Sequence, residues 1–298
     1  KRTDPGGARF KSTRQDLTVT TRQAKLTFTN HGFTSWLHHD QELLAGAAEV
    51  NIVRAPMDND GIKGWAGHQN KALDRWKSQG LFEAQQNWNR AKAAETVDGT
   101  VTVTQTSSVK TLAGTVRCRC IYTIDGSNSI RIEHHFEVPS SLADLPRLGL
   151  RYPLSGQFEQ LSWFGRGPHE TYCDRKQSGI IARHDSTVSN QYIPYILPQE
   201  HGNITDLRWL ELRADPECLL RMDAHQPIEG SASRYPQEVL TAAYHTYEVA
   251  PDHRVWLCLD VMQRGVGGAS CGPDTLDQYR LKAGQHQLSY DLTWKSEP

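Results

Sequence analysis

The chain has no run of Lys or Arg, and its 33 basic residues are offset by 34 acidic ones, for a net charge of −1. That balance excludes the basic footprint of a nucleic-acid binder and a patch for an anionic membrane surface. No apolar run approaches the roughly 20 residues that span a bilayer, and the amino end has no hydrophobic signal core. No two of the six cysteines have CxxC spacing, so the sequence offers no case for a zinc site, and we expect no metal ligands in this chain. Cys118 and Cys120 alternate with Arg117 and Arg119 on a predicted strand, and Cys258 sits in an apolar run, where a free thiol acts as a small filler. Reduced thiols of a cytoplasmic protein are the simplest account. The histidine neighbours His38-His39 and His134-His135 point to opposite strand faces, a poor arrangement for one ion. Helical periodicity is scarce, and the strand-helix alternation that builds a (β/α)8 barrel is missing altogether.

What is present is strand after short strand. Eight Trp and ten Tyr shift the apolar fraction, 37%, toward aromatics that suit sheet packing and sugar contact alike. Residues 1–14 are polar, begin without methionine and read as a linker or cut end; a single domain is expected over 15–298. Alternating runs at 17–20, 25–29, 33–37, 49–54, 100–104, 115–123, 129–138, 207–213, 218–222, 255–261 and 286–294 predict strands. In 129–138, Ile130, Ile132, His134 and Phe136 share the face assigned to the core. One helix is predicted between Gly67 and Leu81, with Ala72 and Trp76 at helical spacing and Gly80 as its stop. The fold class is therefore all-β, a large antiparallel sandwich with one short helix.

The chemistry-bearing residues gather in loops. The stretch 161–164 is a predicted strand that breaks at Gly165, Gly167 and Pro168 into a loop bearing His169, Glu170, Asp174 and Arg175. Such a cluster suits acid/base work or a charge network that pins the loop. Asp58 and Asp60 offer a carboxylate pair, or turn acids paired with Arg54. We read Arg54, Asp58, Asp60, Glu170, Asp174 and Arg175 as structural ion-pair and turn groups, with no catalytic residue in the chain.

Trp163-Phe-Gly-Arg-Gly-Pro-His-Glu-Thr-Tyr172, followed by Asp174-Arg175, resembles a signature of the C-terminal, small-chain domain (domain 5) of the microbial β-galactosidases of glycoside hydrolase family two. Arg54-Ala-Pro-Met-Asp-Asn-Asp60, Arg75-Trp-Lys-Ser-Gln-Gly80, Pro194-Tyr-Ile-Leu-Pro-Gln-Glu-His-Gly202, Ser233-Arg-Tyr-Pro-Gln-Glu238 and Gly265-Val-Gly-Gly268 agree in order, so the likeness runs from about residue 17 to Trp294. The resemblance implies a galactose-mutarotase-like supersandwich. It also implies a supporting role in the retaining hydrolysis of terminal β-galactosides such as lactose. The two catalytic glutamates would lie on a separate barrel, in the same polypeptide or a large-chain partner, and the assembly would be oligomeric. Mg2+ and Na+ would belong to other domains, and this chain would hold no cofactor. In the best-known relatives a tryptophan after the glycine run forms a wall of the sugar site. Anchoring on Gly272-Pro273 puts Cys271 there, which makes Cys271 and Gly272 the expected substrate contacts and the pocket roomier. Two other readings are an aldose mutarotase or epimerase using His169-Glu170 or Glu200-His201, and a stand-alone carbohydrate-binding module presenting Trp65, Trp88 or Trp209.

Overall fold

A computed structural model describes residues 7–39, 41–65, 71–215 and 218–296. Its first sheet is an antiparallel meander of β1 (Arg9–Ser12), β2 (Asp16–Thr20), β3 (Ala24–Thr29), β4 (Gly32–His38) and β5 (Gln41–Glu42) in that order. Leu17, Val19, Leu26, Phe28, Phe33 and Trp36 alternate onto its buried face. Arg9–Ser12, expected within a linker, pairs with β2 from Arg9↔Thr20 to Ser12↔Leu17. Its exposed side chains carry no apolar alternation, so backbone pairing alone defines this strand. Residues 1–6 of that predicted linker lie outside the described residues.

The second sheet holds the remaining strands. In chain order they are β6 (Glu49–Asn51), β7 (Gln85–Trp88), β8 (Lys92–Glu95), β9 (Val101–Lys110), β10 (Thr115–Ile124), β11 (Ser129–Val138), β12 (Arg147–Leu154), β13 (Gln160–Gly167), β14 (Ile180–Thr187), β15 (Ile204–Asp215), β16 (Cys218–Ser233), β17 (Val255–Gln263) and β18 (Gly284–Ser296). Its main path runs β14-β13-β15-β16-β18-β11-β10-β9-β7; off it, β17 pairs with β16 and β12, β12 pairs with β6, and β8 pairs with β9. The sheets meet where Phe28 and Phe33 pack on Tyr122 of β10, with ring centroids 4.8 and 5.7 Å apart. The buried face of β11 is the expected one, Ile130, Ile132, His134 and Phe136.

Two expectations need correction. The strand from residue 161 does not stop at Phe164: β13 runs to Gly167, because β14 supplies a partner for each residue through Gly167↔Ile180. There are also two α-helices among the described residues, α1 (Ala72–Ser78) and α2 (Gln237–Ala242). The second is only six residues long and buries Leu240 alone, too little to leave a periodic signature. The first ends as predicted. Gly80 takes φ of +71°, its N–H bonds the Lys77 carbonyl at 2.9 Å, and the Leu81 N–H reaches back to Trp76 at 3.0 Å, which closes the last turn. Residues 67–70 of the predicted helical stretch lie outside the described residues.

Candidate functional site at the loop face

Four loops converge at one end of β12, β13, β15 and β17. The first follows β6. Arg54 and Asp60, both fully buried, form a two-pronged pair, Nη2 to Oδ1 at 2.8 Å and Nε to Oδ2 at 3.2 Å. Asp60 Oδ2 also accepts the Met57 N–H at 3.0 Å. Arg264, equally buried, approaches Asp60 at 3.6 Å while bonding Asp144 at 2.7 Å and Asp274 at 2.6 Å. Trp76 of α1 lies against both guanidiniums, at 5.9 and 5.7 Å from its ring centroid, and donates to Asp144 at 3.0 Å. Each buried charge has an opposite charge and further hydrogen bonds, the condition under which such groups persist without water. Asp60 thus has the predicted structural role. Asp58 keeps the turn role without the ion pair to Arg54: its carbonyl accepts the Gly61 N–H at 3.3 Å, its N–H bonds Gln199 Oε1 at 3.2 Å, and it lines a cavity.

That cavity has a volume of about 280 Å³ and is bounded by Asp58, Asn59, Glu170, Tyr195, Glu200 and Ser270 among others. Glu170 is fixed by Arg175 and by the Tyr195 hydroxyl, each at 2.5 Å, and accepts the Gly202 N–H at 2.8 Å. Burial first, then the bond to Glu170, pushes the Tyr195 phenol up to about 12. His169 turns away to Ser178 at 2.9 Å and is exposed, so the adjacent His169 and Glu170 serve different surroundings. Glu200 bonds Arg147 at 2.7 Å and accepts the Ala55 N–H at 3.2 Å. Arg147 in turn sits 3.0 Å from Asp260. Below them, Glu229 accepts from Asn203 at 2.8 Å and from the Gln263 N–H at 3.0 Å. Burial raises its carboxyl to about 7, against the opposing effect of those two bonds.

The glycine-rich loop 265–274 is held from both sides. Asp174, expected in an ion pair, instead accepts the N–H groups of Val266 and Gly267 at 2.9 and 2.7 Å. It lies so close that a Cβ on Gly265 would come within 2.6 Å of it. Opposite, Asn59 donates to the Gly267 carbonyl at 2.8 Å and accepts from the Ser270 N–H and hydroxyl at 3.1 and 2.5 Å. Cys271 and Gly272 form a turn back onto the Gly268 carbonyl, at 3.3 and 2.8 Å. Among the described residues, the loop contributes Val266 and Ser270 to the cavity, while Cys271 is exposed one residue beyond its lining. Sequence reasoning missed Asn59 and Ser270; the Asx-turn chemistry of Asn59-Asp60-Gly61 was the available signal for the first.

A model of the family described as "Beta galactosidase small chain" matches residues 20–294. The chain belongs to the β-galactosidase small-chain family. A β-galactosidase of Priestia megaterium is 29% identical over 294 residues, covering 95% of this chain and 27% of that protein. One from Vibrio cholerae is 32% identical over 260 residues, covering 87% and 25%. This small-chain domain therefore spans about a quarter of the length of the curated relatives it matches. A galactose 1-epimerase from Lactobacillus acidophilus superposes with a TM-score of 0.53 over 98% of this chain and 99% of that one, at 8% identity, which shows a shared galactose-mutarotase-like fold. None of the six cysteines of the small-chain domain is joined in a disulfide.

Proposed function

We propose that this chain is the C-terminal domain or small subunit of a β-galactosidase that hydrolyses terminal β-galactosides with retention. In this reading it packs on a catalytic barrel and closes one side of the sugar site with the loops around Asp58, Asn59, Ser270 and Cys271. The observation that carries it is the family match across residues 20–294, in relatives of which the chain covers only about a quarter. A retaining glycosidase needs two carboxyl groups about 5–5.5 Å apart, one as nucleophile and one as acid/base. Glu170 and Glu200, the glutamates that line the cavity, are each engaged by an arginine and a backbone N–H. The nucleophile and acid/base, with any Mg2+ or Na+, are then supplied by the rest of the enzyme.

The epimerase reading lacks free, converging groups: Glu170 and Glu200, which line the cavity of about 280 Å³, are each held by an arginine, and His169 turns away to Ser178. His201 faces a separate hollow of about 20 Å³, space for a water rather than a sugar, whose pockets run to roughly 300–1,000 Å³. The carbohydrate-module reading fares no better. Trp88 is buried and Trp209 carries the Arg221 guanidinium 4.7 Å from its ring, which leaves only Trp65, 61% exposed, of the three candidates.

Cys271→Trp in the assembled enzyme tests the loop assignment. Restoring a broad indole face should change the KM for lactose or the balance of hydrolysis and transfer, with the melting temperature unchanged. Identical kinetics for lactose and an aryl galactoside would place Cys271 outside the sugar site. Nitrophenyl-galactoside turnover by the isolated chain, at a rate that copurifies with it, would refute the supporting role itself.

A further inference from the structure

Far from the loops, in the dry interior of the second sheet, three side chains with an affinity for soft cations come together. Cys118 and Cys120 stand two residues apart on β10 and so share a face, and antiparallel pairing sets Cys120 opposite His134 of β11. The two sulfurs are 3.5 Å apart, and His134 Nδ1 is 3.0 Å from Cys120 Sγ. One donor atom from each of the three lies within 4.8 Å of the other two, and all three residues are 2% exposed or less. Behind the ring, His134 Nε2 is 3.0 Å from the Tyr290 hydroxyl, which is 2.5 Å from the Tyr152 hydroxyl. An Nε2–H donated to Tyr290 leaves the Nδ1 lone pair facing the sulfurs, and metal-bound imidazoles are supported from behind in just this way.

We propose that Cys118, Cys120 and His134 form a binding site for a zinc ion within the core. Zinc takes sulfur at about 2.3 Å and imidazole nitrogen at about 2.0–2.1 Å. Sulfurs separated by 3.5 Å subtend an angle of about 100° at such an ion, near the tetrahedral value. The two thiols release their protons on binding, and two thiolates with a neutral imidazole cancel the ion's double positive charge. A monovalent soft cation would leave a net negative charge in an apolar interior, which is costly. The linear sequence hides this site because its ligands are joined by strand register rather than by a CxxC spacing. The proposal is independent of how the loops act on a sugar.

The test is metal content and spectroscopy on the purified protein, produced in medium supplemented with Zn2+ or with Co2+ as the optical probe and then desalted. About one ion per chain is expected, with sulfur-to-cobalt charge-transfer absorption in the Co2+ form. Oxygen-ligand sites elsewhere in a larger enzyme give no such band. Cys120→Ala and His134→Gln should each lose that band and about one equivalent of zinc, while Cys271→Ser retains both. Should the core variants fail to fold, the wild-type spectrum decides alone. Wild-type protein with less than about a tenth of an equivalent and no charge-transfer band, or a Cys120→Ala protein that keeps both, overturns the site.

Discussion

Asp58, Asn59 and Asp60 are consecutive, yet they belong to two regions governed by opposite rules. Asp60 enters a knot with Arg54, Arg264, Asp144 and Trp76 in which every charge is answered within the protein. Asp58 and Asn59 face a polar cavity whose loops are fastened by hydrogen bonds to backbone. In the knot, removing one partner strands a desolvated charge; at the rim, it frees a loop that water can solvate. Neighbouring acidic residues in one motif can therefore differ several-fold in their contribution to stability.

That contrast can be tested in descending order of effect. Arg54→Ala should lower stability by about 3–5 kcal/mol by leaving the buried Asp60 with only the more distant Arg264, at 3.6 Å, as a counter-charge, read as a denaturant midpoint. The Arg54→Ala/Asp60→Ala double variant should lose less than the two single variants combined. Next comes pH. The Glu229 carboxyl is raised to about 7 from an ordinary 4.5, so the folded state holds a proton that the unfolded chain has released. Its stabilising contribution is complete below pH 4.5 and disappears as pH rises through about 7, a change of about 3 kcal/mol. Comparing wild type with Glu229→Gln at pH 5 and pH 8 isolates it, since glutamine removes that part of the slope. A slope of equal size in the variant would assign the effect to other groups.

At the rim, Asp174→Ala should cost about 1–3 kcal/mol, confined to its loop. Hydrogen exchange at Val266 and Gly267 should quicken and labelling of Cys271 should speed up, with the amides of β10 and β11 unaffected. Loss of protection throughout the protein would make Asp174 part of the knot instead. The smallest effect belongs to His169→Ala, expected within about 0.5 kcal/mol of wild type and without influence on galactoside turnover in the assembled enzyme.

Strands with one wet face were legible in the sequence because alternation betrays them; Ser129–Val138 was read with its exact bounds. Arg147–Leu154 was not, because β12 is buried along its whole length and places two arginines where a core strand would have aliphatic residues. Those arginines become intelligible only with their partners, Glu200 and Asp260 for Arg147 and Glu49 and Glu238 for Arg151. Pairing of Arg54 with Asp60 was within reach because both ends lie in one motif. The bonds from Asp174 to Val266 and Gly267 span more than ninety residues, and no spacing rule reaches that far.

The bond from Arg54 to the Arg264 carbonyl joins residues 210 positions apart. Ribosomes add about 5–20 residues per second, so the emerging chain carries Arg54 and Asp60 for roughly 10–40 s before Arg264 can join them. In the first part of that interval, until β10 has been made, the amino-terminal sheet lacks the strand on which Phe28 and Phe33 pack, which leaves both rings open to other nascent chains. A ribosome stalled short of residue 115 should therefore yield a product that needs chaperone protection, whereas a chain extended past β10 should need less of it.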